Sequence, residues 1–375
     1  MPTFPPNGIL TLLDTSLPHN LAESTSADLR LGELLDEQMI ARLGQLALGY
    51  GTSRGAGELR ALIADSTGVD ADDVLVTQGA ASALFLAMFT LCSPGDEIAV
   101  AMPQFPPAVD MIAAVQATLR PFQQRFDEGY QIDLDGFRAA LSPATRLAVV
   151  TSPHNPSGVT ASPVTLQRMA AILAKVSPQA YLLVDETYRE AAYGDAAVPA
   201  SAAALSPRVL TVSSVSKALG APGLRIGWLT CRDRALIELV ARAKMNVSVS
   251  CSVVDETLAA EVLRRKQDLL RTRRHMLAAA LDKVAAWAEA HRALIEWVRP
   301  QGGALSCVRL RAEVYDPARV EAFRRALPAH GVMVGHGAWF YEEERVFRLG
   351  FGHLPLERLD PALAALGHAL ASAAA

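Results

Sequence analysis

Two kinds of apolar pattern alternate along the chain between residues 73 and 231. Short continuous runs rich in Val, Leu and Ile occur at 73-DVLVT-77, 97-EIAVAM-102, 147-LAVVTSP-153, 181-YLLVDE-186, 208-RVLTVSS-214 and 226-IGWLTC-231. Segments of helical periodicity precede or separate them, among them 57-GELRALIADS-66, 80-AASALFLAMFTL-91 and 163-PVTLQRMAAILAKV-176. Strands that are apolar throughout, spaced by amphipathic helices, predict a mainly parallel sheet with helices on both faces. In such a sheet, ligands bind at the carboxyl ends of the strands, in the loops that follow.

Residues 255–291 carry a long uninterrupted helical pattern that predicts one helix bridging to a second region. That region mixes strand patterns at 303–310 and 346–351 with helical ones at 317–327 and at the Ala/Leu-rich end. The first 30 residues lack a strong pattern, and their expected place is beside the C-terminal part.

Composition narrows the classes. With 51% hydrophobic and 20% charged residues over 375 positions, the chain is globular and long enough for a large domain and a smaller one. A net charge of −4 gives no electrostatic reason for a nucleic acid or an anionic membrane as partner. The N-terminus reads as no signal peptide, and no apolar run is long enough to span a bilayer. The four cysteines form no C-x-x-C pair, as in a reducing compartment without structural zinc, so the expectation is a cytoplasmic protein.

Polar clusters sit where the strands end. In 76-VTQGAASALF-85 a strand meets a helix through small residues, which suits an anion at free N–H groups, or only a tight turn. In 151-TSPHNPSG-158 two prolines fix Asn155 as a hydrogen-bond donor, unless the loop is a plain Asn-Pro turn. In 182-LLVDETYRE-190, Asp185 ends an apolar run and needs a cationic partner, either a ligand nitrogen or a core arginine. In 211-TVSSVSKALGAPGLRIGW-228, Lys217 is flanked by Ser214 and Arg225. A lysine at a sheet edge suits a Schiff base with an aldehyde, and the serine and arginine suit a phosphate. Neither a G-x-G-x-x-G after a strand nor a P-loop occurs. Together the clusters supply what pyridoxal 5′-phosphate (PLP) requires: an amine, a partner for the ring nitrogen, a donor to the phenolic oxygen and a phosphate cradle.

The motif 214-SVSKALGAPGLR-225, following N-P-S-G and D-E-T-Y in order, resembles the class I/II aminotransferases of PLP-dependent fold type I. Asp185 follows Asn155 by 30 residues and precedes Lys217 by 32, and the resemblance covers nearly the whole chain. It implies an α/β fold with a seven-stranded, mainly parallel sheet and a smaller α/β domain. The division it implies is an N-terminal segment over 1–44 packing with the small domain, a large PLP-binding domain over 45–260 and a small domain over 261–375. It implies that Lys217 forms the Schiff base and acts as general base, and that Asp185 pairs with the pyridine nitrogen. Asn155 and Tyr188 would bond the 3-hydroxyl oxygen, and Ser214, Arg225 and the N–H groups of Ala80 and Ala81 the phosphate. Phe105 would stack on the ring, core packing being its plainer reading. Tyr50, in 49-GYGTSRGAGELR-60, would reach the phosphate of a neighbouring subunit, making a homodimer with shared active sites. Arg348, in 346-VFRLGFG-352, would bind the substrate α-carboxylate, with Asn155 beside it.

The activity so implied is ping-pong transfer of an amino group from an L-amino acid to a 2-oxo acid. The same constellation serves C–S β-lyases, amino-acid decarboxylases and the cyclases and oxidases of unusual amino-acid biosynthesis. An effector-sensing domain of a transcription regulator is a rival of another class. It would carry a winged helix before the domain, yet Tyr50 already belongs to the enzyme pattern. The segment 21-LAESTSADL-29 falls where relatives place a substrate-contacting loop, without revealing a preference.

Overall fold

The protein is described by a computed structural model, which covers residue 4 and residues 8–375, without the side chains of 10, 11 and 13. The start of the 1–44 segment therefore lies outside the described residues. Seven strands form the main sheet. They are β1 (Val74–Thr77), β2 (Glu97–Met102), β3 (Thr118–Gln123), β4 (Thr145–Thr151), β5 (Tyr181–Asp185), β6 (Val209–Ser214) and β7 (Gly227–Cys231). Their order is β1-β7-β6-β5-β4-β2-β3, and only β7 runs against its neighbours.

Alternation along each strand divides the core in two. Leu147 and Val149 of β4 join one buried cluster, with α2 (Gly79–Leu91), α3 (Pro106–Ala114) and α5 (Arg234–Ser248). Ala148 and Val150, one residue along, join the opposite cluster with α4 (Pro163–Val176). Both faces are thus covered, which is why the strands read as continuous apolar runs rather than alternating ones. Strand β3 departs from that rule. It is an edge strand, exposed along most of its length and carrying Pro121, so no apolar run marks it.

The long helix predicted over 255–291 is two helices, α6 (Val253–Arg264) and α7 (Lys266–Ala290). No glycine or proline marks the break. At Arg265 the backbone turns to φ −90° and ψ 8°, and its guanidinium reaches the carbonyl of Glu33, 2.7 Å away. The contact with the N-terminal segment, together with burial of α6 beside α1 (Gly57–Thr67), overrides a local pattern that allows one helix.

A second, antiparallel sheet follows, with β8 (Ile295–Val298), β9 (Leu305–Leu310), β10 (Gly335–His336) and β11 (Val346–Gly350) in the order β10-β11-β9-β8. Near the N-terminus, His19–Asn20 pairs in parallel with Val332–Met333. The segment then crosses β11, where Gly350 N–H donates to the Leu21 carbonyl at 2.7 Å, and enters the cleft between the two sheets as residues 22–26. The functional residues meet in that cleft. No described helix is long and apolar enough to cross a membrane.

Candidate active site

The carboxyl ends of five strands of the main sheet, β1, β2, β4, β5 and β6, deliver most of the site. Asp185 is the last residue of β5 and is 8% exposed. Its Oδ1 accepts from the Thr187 amide at 2.9 Å and the Thr187 hydroxyl at 2.5 Å. Burial pushes the Asp185 carboxyl up, although the Thr187 donors and the charge of Lys217 pull the other way. A carboxylate left in this state gains most from a cation on a ligand.

Ser214 ends β6 and accepts from the Ser216 amide at 3.2 Å. Two turns in the left-handed region then meet. Arg225 has φ +50°, and Gly79, which opens α2, has φ +80°. A Cβ on residue 79 would lie 2.6 Å from Nη2 of Arg225, so only glycine lets the guanidinium lie against the start of α2. The N–H groups of Ala80 and Ala81 belong to the first turn of that helix and lack acceptors within it. Helix N-terminus, guanidinium and Ser214 together make a cradle for a dianion.

The 151–158 loop is braced from behind. His154 is fully buried, with Nε2 2.9 Å from the Pro103 carbonyl and Nδ1 2.7 Å from the Ser157 hydroxyl. Facing a carbonyl, Nε2 is the donor, and Nδ1 accepts from Ser157. Burial lowers the His154 pKa to about 4, so the ring is neutral at ordinary pH. It ties the Asn155 loop to the 103–105 segment, where Phe105 faces the cavity.

Arg348, on β11, is 2% exposed. Its Nη1 donates to Asn155 Oδ1 at 3.0 Å and its Nη2 to the Ala22 carbonyl at 2.7 Å, while Nε has no partner. Its face lies over the Phe340 ring at 4.6 Å. Burial lowers the Arg348 pKa, opposed by Tyr188 and Glu23, and a buried guanidinium with an unpaired N–H favours an added carboxylate.

Lys217 Nζ lies 3.2 Å from Ser24 Oγ and 3.4 Å from Glu23 Oε1. Ser24 Oγ is in turn 3.0 Å from the Tyr188 hydroxyl. The cavity these groups enclose is about 280 Å³. Ten of the eleven residues singled out in the sequence line it or form its lip: Lys217, Asp185, Tyr188, Asn155, Ser214, Arg225, Ala80, Ala81, Phe105 and Arg348. Tyr50 stands apart, 90% exposed on the surface. Glu23, Ser24, Thr151 and Ser216 carry no role in the sequence reading, and they line the cavity together with Ile9, Leu12, Leu84, Pro107 and Thr187. Thr151 and Ser216 stand inside the 151–158 and 214–225 motifs, and Glu23 and Ser24 inside the 21–29 segment.

The residues fit PLP on structural grounds: a lysine amine, a buried carboxylate with no cation hydrogen-bonded to it, and a bare glycine at an anion cradle. Among the described residues no group of side chains could hold a metal ion.

Comparison with known proteins agrees with this reading. The family model "Aminotransferase class I and II" matches residues 19–366. Capreomycidine synthase of Streptomyces vinaceus is 33% identical over 90% of this chain and 86% of its own length. Arginine–pyruvate transaminase AruH of Pseudomonas aeruginosa is 28% identical over 78% of this chain and 74% of its own. The crystal structure of a PLP-dependent aminotransferase from Streptococcus suis superposes with a TM-score of 0.89 at 26% identity, covering 98% of each chain.

Proposed function

The chain belongs to the aminotransferase class I and II family, and from that membership we propose that it moves the amino group of an L-amino acid to a 2-oxo acid with PLP. The observation that carries this reading is the meeting of Lys217, Asp185, Arg225, Asn155 and Arg348 in one cleft from four separate stretches of chain. When bound, PLP supplies an aldehyde for amine exchange and an aromatic ring that accepts electrons from the substrate's α-carbon.

Each side chain then has a task. Ser214, Arg225 and the first amides of α2 hold the phosphate, and Phe105 covers the ring. Asp185 holds a proton on the ring nitrogen by remaining charged beside it. Asn155 and Tyr188 orient the ring through its phenolic oxygen. Lys217 would carry the cofactor through its amine and, once released, would take the substrate's α-proton and deliver it to the cofactor's aldehyde carbon. Arg348 clamps the α-carboxylate, which fixes the α-carbon within reach of Lys217.

For Arg348→Ala we expect KM for the amino acid to rise about a hundredfold, the scale of lost hydrogen bonds to a charged group. Cofactor affinity should hold, because Arg348 makes no contact in the phosphate cradle. Steady-state kinetics beside a cofactor titration decide this, and an unchanged KM rules out the clamp.

Exposure of Tyr50 supports its service in a neighbouring copy, hence a homodimer with shared sites. Sedimentation should then give twice the chain mass, whereas a monomer active at all dilutions contradicts it. The four cysteines are all unpaired, which supports a reducing compartment such as the cytoplasm.

A second reading is cyclisation of an amino acid, favoured by the 33% identity with capreomycidine synthase. Substrate labelled with heavy nitrogen at the α-position separates the two. Transfer puts the label in the amino acid made from the added oxo acid. A label retained in a ring product selects cyclisation, and a label lost as ammonia marks elimination.

A further inference from the structure

The site contains one charge to which amino-group transfer gives no task. Glu23 lines the cavity, and its Oε1 accepts from the amides of Ser24 at 2.8 Å and Thr25 at 3.1 Å and from Lys217 at 3.4 Å. All three contacts fall on Oε1, which leaves Oε2 for a ligand. Burial works against the charge of Glu23, but Lys217, Arg348 and the Ser24 amide outweigh it and hold the carboxyl below its ordinary range. The group is therefore a fixed anion and a poor proton acceptor.

Its neighbouring cations are committed elsewhere. Arg348 bonds Asn155 and the Ala22 carbonyl and faces the α-carboxylate; Lys217 is the amine that carries the cofactor. With both engaged, a carboxylate only 23% exposed is short of a cationic partner. The cavity also presents Ile9, Leu12 and Leu84, apolar side chains suited to a methylene stem. Its other cation, Arg225, belongs to the phosphate cradle, so no lining cation remains for a side-chain carboxylate.

We propose that Glu23 selects substrates whose side chain ends in a cation, an ammonium or guanidinium carried on an aliphatic stem, with Oε2 as its partner. The proposal rests on the aminotransferase reading for the placement of the α-carboxylate on Arg348.

The test is isothermal titration of the holoenzyme with 5-guanidinopentanoate and with octanoate. Both acids offer a carboxylate to Arg348, only one ends in a cation, and neither has an α-amine to react. Wild type should prefer the guanidino acid about tenfold or more, the scale of a charge-assisted hydrogen bond. Glu23→Gln keeps a carbonyl oxygen for the Ser24 and Thr25 amides and should bring the ratio to within about twofold. A wild type without the preference, a variant that keeps it, or failure of the guanidino acid to bind overturns the proposal. A role confined to holding Lys217 or the loop would shift both acids together and leave the ratio intact. Because these ligands are not turned over, the preference is read apart from the reaction. A preference intact in an enzyme that transfers no amino group sinks the aminotransferase reading alone.

Discussion

Lys217→Ala should lower amino-group transfer by at least about 10⁴-fold, and borohydride should no longer fix the cofactor to the chain. Proton transfer by a placed side chain is worth about 10²–10⁴, and in the proposed role this amine is also the covalent attachment. Nothing nearby replaces it. The groups within hydrogen-bond reach of Nζ are the Ser24 hydroxyl and the Glu23 carboxylate, and neither forms a Schiff base. Cofactor should still bind without the bond, because the cradle of Ser214, Arg225 and the α2 amides does not involve Nζ. Mass spectrometry after borohydride reduction, beside single-turnover kinetics, checks both halves. A variant still covalently loaded, or one that keeps a tenth of the activity, excludes Lys217 from this role.

Asp185→Asn should lower kcat by about a hundred- to a thousandfold, the scale of breaking a buried ion pair at 1.4 kcal/mol per tenfold. The substitution isolates charge from shape. An asparagine oxygen can still accept from the Thr187 amide, which donates to Oδ1 at 2.9 Å in the native chain. What is lost is the anion that, in the proposed role, would keep a proton on the ring nitrogen. Stopped-flow measurement of the first half-reaction would show the loss in the proton-transfer step, with substrate affinity nearly unchanged. A decrease under about fivefold would mean that the ring nitrogen needs no anion here.

The strand ends were the legible part of this molecule. Buried strands must be apolar, so a lone Asp185 or Ser214 at their termini stands out, and short loops keep Asn155, Lys217 and Arg225 close to the sheet. The same reasoning fails for β3, an edge strand whose exposed positions are free to be polar. It fails at Arg265 too, where a contact with the Glu33 carbonyl accompanies a helix break that no local residue announces. Glu23 and Ser24 lie nearly two hundred residues before Lys217 and sit in a segment without periodicity. Only the crossing of that segment over β11 carries them into the cleft. Tyr50 shows the converse: its motif was readable, yet a single chain leaves it on the surface.

The most direct test of the account is a single half-reaction. Purified holoenzyme is mixed with an excess of one amino acid, without any acceptor, and the products are counted per Lys217 site. Amino-group transfer should give one equivalent of 2-oxo acid, no ammonia, no carbon dioxide, and an amino group that stays with the enzyme until a second 2-oxo acid removes it. Continued turnover without an acceptor, or ammonia matching the oxo acid formed, would contradict it and assign the site to elimination or cyclisation.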